Sequence, residues 1–106
     1  MPMSYTSIDQ QIDNWVQRHS LKLFTSDGGR ECRAAYVSSV AGECFNIWID
    51  APSDGRTCIH AGCVEGREEG KSPHDWPIAV AEIEAALEKV FQTVVEWMAP
   101  SERYLP

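Results

Sequence analysis

The chain has 106 residues, 43% hydrophobic and 24% charged, with a net charge of −7. That length holds one domain, residues 1–106, around one core, and the composition is too apolar for a disordered chain. Nine Lys and Arg scattered among sixteen Asp and Glu argue against a nucleic-acid binder, which needs basic side chains to displace counterions from phosphates. No stretch approaches the ~20 apolar residues of a membrane span. Residues 1–7 lack the basic region and apolar run of a secretory signal. The expected setting is the cytoplasm, and the acidity suits a basic protein partner.

In residues 7–19 the apolar side chains Ile8, Ile12, Trp15 and Val16 recur at i, i+4, i+7 and i+8, the stripe of an amphipathic helix. Ser7 with Gln10 three residues on has the form of a capping box. Three glycine-containing turns follow, at Gly28-Gly29, Ala41-Gly42 and Asp54-Gly55. They divide the middle of the chain into four predicted strands at about 21–26, 31–40, 43–51 and 57–64, an antiparallel meander. Two-residue turns at the first two sites place Leu23 opposite Ala34, Tyr36 opposite Ile47 and Ala34 opposite Ile49. Setting Ile49 opposite Ile59 then collects Leu21, Leu23, Ala34, Tyr36, Phe45, Ile47, Ile49, Ile59, Ala61 and Cys63 on one apolar face.

Residues 65–77 are polar and predict a loop containing the charge run Arg67-Glu68-Glu69. A long helix is predicted at about 81–98, with Ile83, Leu87, Val90, Phe91, Val94, Trp97 and Met98 as its stripe and Pro100 as its stop. The fold class is therefore two-layer α+β, with an N-terminal helix and a long C-terminal helix sharing one sheet face.

No motif names a reaction. No phosphate-cradling glycine pattern is present, and no cofactor is implied. Among the four cysteines, Cys58 and Cys63 are about 16 Å apart along one strand, and Cys32 and Cys44 lie at opposite ends of a hairpin. No pair is in disulfide range. A metal site is not expected, because Cys63 faces the core while Cys58 and His60 face away, and paired cysteine knuckles are absent.

Asp50, Cys58 and His60 share the second sheet face, yet residues i and i+2 on a flat strand stand about 6–7 Å apart. No catalytic residue is assigned. That second face is predicted to carry Phe24, Arg33, Trp48, Asp50 and His60, with an Arg33–Asp50 pair among aromatic side chains. Such a composition matches interface hot spots rather than a solvated sheet. The expectation is a non-enzymatic module that binds a protein partner or a second copy of itself through this face. It is weighed against a small-molecule binder or minor enzyme centred on Asp50, Cys58 and His60, and against cover by the 65–77 loop or the C-terminal tail.

Overall fold

The computed structural model describes residues 5–40, 42–65 and 73–98. The elements run α1 (Asp9–Arg18), β1 (Leu23–Asp27), β2 (Arg30–Ser38), β3 (Cys44–Ile49), β4 (Arg56–Glu65), β5 (His74–Ala79), a short 3₁₀ turn (Val80–Glu82) and α2 (Ile83–Trp97). The strands form one antiparallel sheet in the order β1-β2-β3-β4-β5. Ile8, Ile12, Trp15 and Val16 from the first helical segment share a single buried cluster with Ile83, Leu87, Val90 and Val94 of α2. The sheet supplies Ala35, Val37, Phe45, Ile47, Ile49, Ile59 and Ala61 to the same cluster. These alternate along their strands, so both helices cover one face of the sheet.

The α+β architecture with a helix at each end is as expected, but the sheet has five strands rather than four. The fifth, β5, occupies part of the stretch predicted as a loop; residues 66–72, with the charge run, lie outside the described residues, as does Pro100. In β5 the side chains of Trp76 and Ile78 pack against the core, a period-two pattern masked by Pro77. The backbone N–H of Val80 donates to the Gly55 carbonyl at 2.9 Å. Because hydrogen-bonded and non-hydrogen-bonded pairs alternate along an antiparallel ladder, the pairs Cys58/Pro77 and His60/Asp75 are of the non-bonded kind. Pro77 thus sits where no donor toward β4 is required.

The second correction is to the register of β2. Gly28 and Gly29, both at positive φ, make the expected two-residue turn with Asp27 opposite Arg30. The ladder then shifts between Phe24 and Ser26, so Leu23 meets Ala35 instead of Ala34. The next hairpin closes with three residues, not two. Ser39 N–H donates to the Glu43 carbonyl at 2.8 Å, and Gly42 occupies a positive φ of 95°. Ala35 therefore meets Ile47 and Ala34 meets Trp48.

Each shift moves β2 by one residue. Ala35 and Val37 go into the core, while Ala34 and Tyr36 turn to the other face. Between β3 and β4 the expected register holds, with Ile49 opposite Ile59, Ile47 opposite Ala61 and Phe45 opposite Cys63.

The capping box at Ser7 is also absent. The orphan N–H groups of Ile8 and Asp9 donate instead to the Tyr5 carbonyl, both at 2.9 Å, and Gln10 bonds Asn14. The start of α2 is served across the molecule by Gln11. Its Oε1 accepts from the Glu84 N–H at 3.0 Å, and its Nε2 donates to the Val80 carbonyl at 2.8 Å.

Candidate functional site

The strand ends at β3, β4 and β5 bring four polar side chains together on the face away from the helices. The Asp50 N–H donates to the Cys58 carbonyl at 3.0 Å, so Asp50 and Cys58 stand directly opposite one another. Thr57 holds the Asp50 carbonyl through its hydroxyl at 2.5 Å. His60 lies two residues beyond Cys58 on the same face, opposite Trp48 on one neighbouring strand and Asp75 on the other. The His60/Asp75 pair is non-hydrogen-bonded in the backbone ladder, the arrangement that brings opposed side chains closest.

His60 is held on three sides. Its Nε2 lies 2.8 Å from an Asp50 carboxylate oxygen and its Nδ1 lies 2.7 Å from Asp75. Its ring stacks on Trp48 at 5.1 Å between centroids and 18° between planes. Carboxylates only accept, so donating to both at once takes a proton on each ring nitrogen, the imidazolium form. Burial pushes the His60 pKa down, but the bonds and charges of Asp50 and Asp75 outweigh it and the net shift is upward. In its protonated form the ring would add a cation–π attraction to the stack on Trp48.

The donor atoms of Asp50, Cys58 and His60 all lie within 4.8 Å of one another. The backbone spacing along the strand had implied a wider gap, and the side chains close it. The surroundings of Cys58 disfavour its thiolate. Burial raises its pKa; a backbone N–H of Trp76 offsets part of that rise, and the negative charges of Asp50 and Asp75 add to it. A thiol in such surroundings stays protonated at neutral pH.

Beside the polar group lies an aromatic hollow of about 490 Å³ lined by Phe24, Cys32, Ala34, Tyr36, Asn46 and Trp48. Phe24 and Tyr36 meet edge to face at 5.4 Å and remain 37% and 46% exposed. Lys22 places its ammonium 5.1 Å from the Phe24 ring centroid.

Of the five predicted site residues, Phe24, Trp48, Asp50 and His60 occupy this face. Arg33 does not: it faces the helix layer and is 7% exposed. Its guanidinium forks onto Asp9 at 2.7 and 3.1 Å, donates to the Cys32 carbonyl at 2.7 Å and lies 4.4 Å from the Tyr5 ring centroid. The one-residue shift of β2 is the reason, and Asp50 takes His60 as partner in place of Arg33. The same shift brings Cys32, Ala34 and Tyr36 to the face in exchange for Ala35 and Val37. Asp75 was hidden in the stretch predicted as a loop. The alternation of Trp76 and Ile78 with Asp75 and Pro77 was the one signal that marked it.

Comparison of the chain with protein-family models, curated proteins and solved structures yields no match. Any functional reading therefore rests on the chemistry of this face. Among the described residues, no helix is long and apolar enough to cross a membrane.

Proposed function

We propose that the protein is a non-enzymatic binding module that docks a protein partner on the sheet face opposite the helices. The observation that supports this most is the hollow beside Trp48, in which an edge-to-face Phe24–Tyr36 pair stays substantially exposed. Aromatic side chains held rigid by strand backbone lose little entropy on binding, and they dominate interface energetics. The net charge of −7 favours a partner segment that carries positive charge beside an apolar or aromatic anchor.

The test is paired. Sedimentation velocity over a wide concentration range asks whether the partner is a second copy, and affinity capture from native extract asks for a different protein. Trp48→Ala and Tyr36→Ala are run alongside the wild type. The expected outcome is one specific association, by either route, weakened at least tenfold by each variant, the loss typical of a hot-spot side chain. A wild-type protein that stays monomeric and captures nothing overturns the proposal. So does an association that both variants leave unchanged.

A further inference from the structure

We propose that Asp50, Cys58 and His60 form a zinc-class divalent metal site, with Asp75 as the residue that orients the histidine. The inference goes beyond the docking surface and does not depend on it.

Three different donor types converge from two strands. A carboxylate stands at the end of β3, and a thiol and an imidazole sit two residues apart on β4, with donor atoms no more than 4.8 Å from one another. Zinc bonds of 2.0–2.3 Å in a tetrahedron set its donors roughly 3.3–3.7 Å apart. Taking an ion would draw donors at the 4.8 Å limit together by about 1 Å and open the His60 Nε2–Asp50 pair slightly from its 2.8 Å.

The histidine is already aimed. Asp75 accepts from Nδ1 at 2.7 Å, which leaves Nε2 directed at Asp50 and the interior of the trio. A carboxylate behind a ligating histidine is the usual outer support of a zinc imidazole, where it fixes the tautomer and strengthens the ligand. Asp75 comes from a separate strand and makes that contact in the direct cross-strand position.

Charge favours the same reading. Two carboxylates, Asp50 and Asp75, flank the imidazole at 2.8 and 2.7 Å. An ion bound at Nε2 would leave Asp75 on Nδ1 and take the Asp50 carboxylate and the Cys58 sulfur as ligands, with any proton on Nε2 and the thiol proton released to solvent. A sulfur donor selects against magnesium and calcium, while the mixture of sulfur, nitrogen and oxygen suits zinc and its tetrahedral neighbours. Three protein ligands leave a fourth position for water or for a group from outside the chain.

Cobalt(II) is the probe, because a thiolate ligand gives it a charge-transfer absorption that nitrogen and oxygen donors lack. Titrated into the reduced protein, it is expected to bind at one ion per chain with that absorption and to be displaced by equimolar zinc. Cys58→Ser and His60→Ala should each abolish the absorption. Asp75→Asn should weaken binding about 10–100-fold without removing the sulfur signature. A Cys32→Ser, Cys44→Ser, Cys63→Ser triple variant should retain it.

Far-UV circular dichroism of each apo variant separates lost binding from lost fold, and the wild-type titration decides the matter even where a variant does not fold. No thiolate absorption in the wild type overturns the proposal. So does an absorption that survives in a folded Cys58→Ser variant, or one that disappears in a folded triple variant.

Discussion

At the scale of single residues, backbone conformation and burial separate positions that look alike in sequence. Ser20 follows α1 at a φ of 54°. The Leu21 N–H donates to the Val16 carbonyl at 2.8 Å and the Ser20 N–H to Gln17 at 3.3 Å, the paired bonds of a Schellman ending. Glycine is the residue that reaches this left-handed conformation without a Cβ clash. Ser20→Gly is expected to stabilise the protein by about 0.5–1 kcal/mol, seen as a rise in Tm of a few degrees by calorimetry. An unchanged or lowered Tm would contradict that reading of the helix end.

Arg33 shows what a residue's type conceals. In the segment Arg33-Ala34-Ala35-Tyr36-Val37 both alternating sets are apolar enough to form a core, so the pattern alone does not choose a face. The choice is made by the bulge opposite β1 and the three-residue loop before β3, and neither leaves an unambiguous mark in the sequence. The β3 and β4 residues were legible for the opposite reason. Phe45, Ile47, Ile49 and Ile59 alternate with Asn46, Trp48 and His60, and only one register buries all four.

At the scale of elements, α1 and α2 are joined by polar contacts that neither amphipathic stripe predicts. Arg18 bonds both Glu84 and Glu88, the latter at 2.5 Å, and His19 Nε2 lies 2.8 Å from Glu88. Arg18 and Asn14 hold Glu84 below the usual carboxylate range. Burial pushes Glu88 up, but Arg18 and His19 outweigh it and the net shift is downward.

Both carboxyls are thus more acidic in the folded chain than in the unfolded one. Their contribution to stability is present above the unfolded value of about 4.3 and is lost as pH falls through the folded values. Tm is therefore expected to decline between about pH 5 and pH 3, and less steeply in Arg18→Met, which removes the shared partner. Parallel profiles for the two proteins would show that the bridge has no part in acid unfolding. The sequence places these charges on the outer helix surfaces. It does not show that residues 66 and 70 positions apart meet, because helix crossing geometry is set by the buried side chains beneath them.

At the scale of the whole molecule, the two sheet faces have opposite characters. One is sealed by the helices. The other holds an aromatic hollow at β1–β3 and a cluster of charged and thiol side chains at the β3–β5 end, joined by Trp48, which lines the hollow and stacks on His60. The β3 and β4 part of this face was legible, with Trp48, Asp50, Cys58 and His60 where alternation places them, whereas the β2 part was not: Cys32, Ala34 and Tyr36 stand where Arg33 was expected. Asp75, which completes the cluster, was not, because a proline two residues later argues against a strand in any reading that cannot see where the sheet ends.

That proline also shapes one edge of the sheet. β5 is an outer strand, and Pro77 puts a ring in the middle of its free edge, where an incoming strand would seek an N–H. Chains that add end upon end through such an edge grow into fibrils. Pro77→Val would supply the missing donor, and light scattering under mildly destabilising conditions is expected to rise sooner than in the wild type. Equal onset times would assign the protection elsewhere. At that edge a single residue blocks the association that needs no side-chain recognition, while β1 forms the opposite edge of the sheet.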